Sequence, residues 1–124
     1  MIHPNVLIVE DDKDFSYILG KLFRAWDWDV FLADTVQHAI ESLPTVRPDL
    51  ILLDVRLPDG SGIEVLKRIK ELGLSSPVCV MTSNDTSSLT DIMEYSPTRV
   101  FQKPIAYGEF EGFAESIKEK KLKS

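Results

Sequence analysis

At 124 residues the chain has room for one domain built on one core, and not for two. Its apolar share of 44% and charged share of 27% are ordinary for a folded protein and exclude a disordered or collagen-like chain. A formal net charge of −6 argues against gripping nucleic-acid phosphates by bulk electrostatics, and no apolar run approaches the length of a membrane span.

The opening MIHPNVLIVEDD lacks the basic and long apolar regions of a secretory signal. Within it, NVLIVE (residues 5–10) is a continuous apolar run, the pattern of a strand buried on both faces. Phe15, Ile18, Leu19, Leu22, Phe23 and Trp26 then recur at helical spacing, with Asp12 placed to cap the start. DVFLA (29–33) is a second strand. Val36, Ala39, Ile40 and Leu43 mark a second helix, capped by Asp34 or Thr35. LILLD (50–54) is the third strand, and Ile63, Leu66, Ile69 and Leu72 line a third helix that Gly73 can end. PVCVMT (77–82) is the fourth strand; its lone Cys79 reads as a small buried hydrophobe. SSLTDIMEY (87–95) predicts a short, weak helix and RVFQ (99–102) a short fifth strand. Phe110, Phe113 and Ile117 mark a last helix, leaving residues 119–124 as a tail or linker stub beyond a core of about 5–118. Five strand–helix units in alternation predict an α/β domain with a parallel sheet covered on both faces. A cytoplasmic location is expected.

In an open sheet of this kind ligands bind beyond the carboxyl ends of the strands. Those ends carry Glu10-Asp11-Asp12, Asp54, Thr82-Ser83-Asn84 and Lys103-Pro104. Carboxylates brought together repel one another unless a proton or cation lies between them. Hard oxygen ligands favour Mg²⁺ or Ca²⁺, and few protein ligands with room for water and phosphate favour Mg²⁺. A carboxylate beside such a cation can act as nucleophile toward a phosphoryl group, with Lys103 and the Thr82 hydroxyl serving the phosphoryl oxygens. Each group also has a plainer use. Glu-Asp-Asp before a helix caps it, Asp54 suits a turn, Thr82-Ser83 suits a cap, and a lysine before proline is commonly solvated. His3 and His38 have no metal-pair spacing and read as surface residues, while Trp26 and Trp28 read as core and rim.

The motifs VLIVEDD, LILLDVRLPDGSG, CVMTS and FQKP, in that order, make the chain resemble the receiver domain of two-component response regulators from about residue 5 to the last helix. The resemblance implies a doubly wound, flavodoxin-like sheet of five parallel strands in the order 2-1-3-4-5. It implies that Asp54 accepts a phosphoryl group from a histidine kinase or a phosphotransfer protein. Mg²⁺, or Mn²⁺ in its stead, would be held by Glu10 through water, by Asp11, by Asp54 and by the Arg56 backbone carbonyl. Thr82 would turn to the phosphoryl group, Lys103 would neutralise it, and the Lys103–Pro104 bond would be cis. The surface of helix four, strand five and helix five would then change. That surface would meet a downstream protein, an output domain or a second copy, with no nucleic acid or membrane contacted directly. The resemblance is imperfect. Val100 stands where the family usually carries Tyr or Phe, Pro97 is expected to shorten or bend helix four, and Arg56 and Asn84 flank the site where side chains tune phosphate lifetime. Two other readings remain at this point: an interaction module of the same fold that phosphorylation does not switch, and an aspartyl-nucleophile phosphatase. The phosphatase is disfavoured by Arg56, which stands where a second Asp would serve as acid.

Overall fold

The computed structural model describes residues 3–83 and 89–123. Five strands form one parallel sheet: β1 (Asn5–Val9), β2 (Asp29–Ala33), β3 (Leu50–Asp54), β4 (Val78–Thr82) and β5 (Arg99–Gln102). Their spatial order is β2-β1-β3-β4-β5. Strand order therefore reverses at β1 and β3, where the chain winds first to one side and then to the other, and the crevice above that reversal is where a ligand fits. The connecting helices are α1 (Lys13–Ala25), α2 (Val36–Val46), α3 (Gly62–Glu71), α4 (Leu89–Met93) and α5 (Tyr107–Lys123).

Alternation along the strands divides the core in two. Leu7, Val9, Ile51, Leu53 and Val80 face α2 and α3, with Ile92 of α4 added. Val6, Ile8, Leu50, Leu52, Cys79 and Met81 face α1 and α5. Because successive side chains in a strand point to opposite faces, both faces of the central strands must be apolar, and their sequences read as unbroken apolar runs. Phe23 meets Trp28 edge to face at 5.5 Å, and Phe101 meets Phe110 in the same way at 5.5 Å.

Local chemistry sets the helix ends. Asp12 caps α1 by accepting from the Asp14 and Phe15 amides. Of the two candidate caps for α2, Thr35 serves, accepting from the His38 amide at 3.0 Å. Ser61 caps α3, and Gly73 follows its end at φ 67, a conformation that glycine adopts without strain. The last helix continues through most of the stretch expected as a tail, as far as Lys123. Lys118 Nζ donates to the Trp26 carbonyl at 3.0 Å and Lys121 Nζ to Asp49 at 2.8 Å, and these bonds tie that stretch to the bottom of the domain. Between β3 and α3 a two-residue antiparallel ribbon, Arg56–Leu57 against Gly60–Ser61, shapes the turn.

Candidate functional site

The carboxyl ends of β1, β3, β4 and β5 open on one edge of the sheet. The Glu10 amide donates to the Ala33 carbonyl at 2.9 Å and carries the β1–β2 ladder one step beyond β1. That extra step sinks Glu10 to 2% exposure, while Asp54 closes β3 at 7% and Asp11 faces solvent. One carboxylate oxygen from each of Glu10, Asp11 and Asp54 lies within 4.8 Å of the others.

Lys103 reaches this cluster from the end of β5. Its amide donates to the Thr82 carbonyl at 2.6 Å. Its Nζ donates to Glu10 Oε1 at 2.7 Å and to Asp54 Oδ2 at 3.3 Å, and it lies 5.1 Å from the centre of the Phe15 ring. The Lys103–Pro104 peptide bond is cis. Burial is the main cause that pushes the Glu10 carboxyl up to about 7, and the neighbouring Asp54 adds to it against the pull of Lys103. Burial of the Lys103 ammonium works to lower its pKa, but bonding to Glu10 and the charge of Asp54 outweigh it, and the net shift is upward. Three carboxylates against one ammonium leave two units of negative charge when all are ionised. That donor set fits a hard divalent cation such as Mg²⁺, and Glu10 holds a proton more readily than usual first because it is buried and then because Asp54 stands beside it.

Of the remaining expected residues, Thr82 and Arg56 share a cavity beside Val55. Thr82 ends β4 and lines a cavity of about 350 Å³ with Val55, Arg56, Ser83 and Ile92. The Arg56 amide is directed at Asp54 Oδ1 at 3.4 Å, and its side chain is exposed. Val100 packs toward the α2 and α3 side of the sheet, whereas Phe101 belongs to the opposite layer against Phe110. The neighbouring aromatic therefore does not stand in for the one that Val100 replaces. Asn84 lies outside the described residues.

Sequence reasoning passed over three positions. A Cβ on Gly62 would collide with the Asp54 carbonyl oxygen, so α3 begins against the backbone of the acidic strand only because that residue is glycine. A glycine in the first turn of a helix is a poor helix former, and that was the available signal. Asp59 lies in a Pro-Asp-Gly stretch, an ordinary turn signal, yet it bonds to a different helix. Phe15, read as core, sits over Lys103. Neither contact has a local sequence pattern.

A sequence model of the response regulator receiver domain matches residues 6–113. The sporulation initiation phosphotransferase F of Bacillus subtilis is 30% identical over 110 residues, covering 88% of this chain and 89% of that protein. The transcriptional regulatory protein ZraR of Escherichia coli is 40% identical over 85 residues, 67% of this chain; the match spans 19% of that protein's length. Among solved structures, the N-terminal domain of an uncharacterized protein from Wolinella succinogenes superposes with a TM-score of 0.90 at 28% identity, covering 96% of this chain and 97% of that one. The sheet order, the helices on both faces and the acidic strand ends agree with these likenesses, and the chain belongs to the response regulator receiver domain family.

Proposed function

We propose that the chain is a phosphorylation-dependent signalling switch in which Asp54 accepts a phosphoryl group from the phosphohistidine of a sensor histidine kinase or a phosphotransfer protein. The observation that supports this most directly is the meeting of the Glu10, Asp11 and Asp54 carboxylates beside the Lys103 ammonium. Receiver domains are signalling domains rather than enzymes acting on external substrates, and they bind Mg²⁺ in an acidic pocket. Here Asp11, Asp54, the Arg56 carbonyl and, through water, Glu10 would hold the ion. When bound, Mg²⁺ supplies the positive charge that lets an anionic donor approach an anionic nucleophile.

An Asp54 carboxylate oxygen attacks phosphorus, the new O–P bond forms as the P–N bond to imidazole breaks, and the electron pair returns to the ring nitrogen, which takes up a proton. The product, an acyl phosphate, brings added charge and three acceptor oxygens. Lys103 exchanges part of its bonding to Glu10 and Asp54 for a phosphoryl oxygen, and the Thr82 hydroxyl donates to another. By their sequence positions, two after Asp54 and two after Thr82, Arg56 and Asn84 tune the lifetime of the acyl phosphate. The loops that carry Thr82 and Lys103 adjoin α4, β5 and α5, so that surface shifts in population and a partner that prefers the shifted form reads the signal. The partner is a downstream protein, an output domain of a longer regulator, or a second copy meeting the same face. Residues 1–124 act as one receiver unit, in the cytoplasm.

Val100 favours one other reading, an interaction module of the same fold that phosphorylation does not switch. Incubation with Mg²⁺ and acetyl phosphate, followed by intact mass measurement, separates the two. Gain of one phosphoryl group by wild type and none by Asp54→Asn is expected. An unmodified wild type, in conditions where another receiver is modified, would favour the unswitched module.

A further inference from the structure

Asp59 sits at the tip of the turn between the two short ribbon strands, and its carboxylate reaches out of its own loop. Oδ1 accepts from the Val36 amide at 2.7 Å and Oδ2 from the Gln37 amide at 3.0 Å. These are the first two amides of α2, groups that have no acceptor within their own helix. Yet α2 already carries a cap of its own, Thr35, bonded to the third amide. What Asp59 adds is a tether between that helix and the loop that follows the phosphoacceptor position.

The loop is also closed at its base, where the Gly62 amide donates to the Val55 carbonyl at 2.7 Å. Between base and tip lies Arg56, its amide directed at Asp54. On the far side, α2 follows β2, whose last residue accepts from the Glu10 amide. Glu10, Ala33, Val36, Asp59 and Asp54 are thus linked in turn by hydrogen bonds and short stretches of chain, a path that starts and ends on members of the acidic cluster. A loop tied at base and tip enters the bound geometry already ordered, whereas one tied only at its base must lose conformational freedom when a ligand draws on its backbone.

We propose that Asp59 is a positioning residue for the metal site: by pinning the loop to α2 it fixes the Arg56 carbonyl against the carboxylates of Asp11 and Asp54. The inference rests on the Mg²⁺ site proposed above. It is tested by calorimetric titration of the full chain with magnesium chloride, alongside amide hydrogen exchange. Asp59→Ala is expected to weaken Mg²⁺ about ten-fold, the low end of what loss of a group supporting a metal ligand costs, and to speed exchange at the Val36, Gln37 and Arg56 amides. Thr35→Ala strips the other cap from the same helix but leaves the tether. It is expected to lower the unfolding midpoint while holding Mg²⁺ affinity within about two-fold. Wild-type affinity in Asp59→Ala, or an equal loss in Thr35→Ala, would overturn the positioning role and leave Asp59 a plain helix cap. Should Asp59→Ala not fold, Asp59→Asn, which keeps a single acceptor oxygen, carries the same comparison. If wild type takes up no Mg²⁺, the site itself fails and this role falls with it, a result distinct from wild-type binding that Asp59 leaves unmoved.

Discussion

Lys103 Nζ and Glu10 Oε1 stand 2.7 Å apart across 93 positions of sequence, the ammonium reaching from the end of β5 over β4 and β3 to the end of β1. The carboxylate side chain is 1% exposed and the lysine 28%. A carboxylate so deep is costly to ionise without a partner, and Asp54 beside it makes the cost larger. The pair is therefore the element that lets two acidic strand ends share one pocket before any cation arrives.

Replacing Lys103 with Ala should leave Glu10 and Asp54 facing each other. In metal-free protein near pH 8 the loss of unfolding free energy is expected to be about 2 kcal/mol. Near pH 5 it should shrink, because Glu10 then takes up a proton. Urea unfolding at the two pH values checks this, and equal losses would show that repulsion is not the source. Some phosphorylation by acetyl phosphate should survive in the variant, while amide shifts in β5 and α5 that accompany it in wild type should be lost.

The raised Glu10 carboxyl predicts an unusual pH dependence. Its folded-state value is about 7 against an ordinary 4.5. Between those values the folded protein binds more protons than the unfolded chain, so stability falls as pH rises. This contribution is complete below pH 4.5 and gone above about 7. Metal-free protein should thus lose stability across that interval, and millimolar Mg²⁺ should flatten the loss by taking the proton's place. Mg²⁺ affinity should rise over the same range. Thermal melts with and without Mg²⁺ provide the check; parallel curves in the two conditions would separate the metal from Glu10.

How much of this was legible depends on how far apart the interacting groups lie. Val6 and Ile8 go to one layer and Leu7 and Val9 to the other, as an unbroken apolar run in a central strand requires. Glu10, Asp54, Thr82 and Lys103 were legible for the same reason, each standing where such a run gives way to polar residues. The tether from Asp59 to Val36 was not, because it joins a loop to the start of a helix 23 residues away and neither has a pattern that names the other. KEKKLKS (118–124) reads as a frayed basic helix end, with 119–124 expected as a tail or linker stub, yet α5 runs on to Lys123. Its order comes from tertiary bonds, Lys118 to the Trp26 carbonyl and Lys121 to Asp49. RVFQ shows by alternation that Val100 and Phe101 point to opposite faces, but which of them faces α5 is settled only by the aromatic pairing with Phe110.

Two glycines should respond to alanine in opposite ways. Gly62→Ala pushes a methyl group into the Asp54 backbone carbonyl and Val55, which cannot move without shifting the acidic strand end. A loss of about 2–3 kcal/mol is expected, together with slower phosphorylation. Gly112 lies in α5, and a methyl group there would meet nothing within 4 Å. Gly112→Ala should raise stability by about 0.5–1 kcal/mol through helix propensity alone and leave phosphorylation as it was. Urea unfolding and a phosphorylation time course on both variants test the pair.

Asp11 and Asp54 should separate metal binding from chemistry. Asp11 is exposed, and one of its carboxylate oxygens lies within 4.8 Å of those of Glu10 and Asp54, so the role proposed for it is to offer an oxygen to the cation. Asp11→Ala is therefore expected to weaken Mg²⁺ by about ten-fold or more while costing little stability, since an exposed acid is removed from a crowded cluster. Excess Mg²⁺ should partly restore its phosphorylation. Asp54→Asn removes the nucleophile, and no Mg²⁺ concentration should restore the acyl phosphate. It also relieves Glu10 of a like charge, so the Glu10 carboxyl should titrate lower than in wild type, visible in carboxyl carbon shifts. Modification of Asp54→Asn at the wild-type rate would place the phosphoacceptor elsewhere. Unchanged Mg²⁺ affinity in Asp11→Ala would remove that residue from the ligand set.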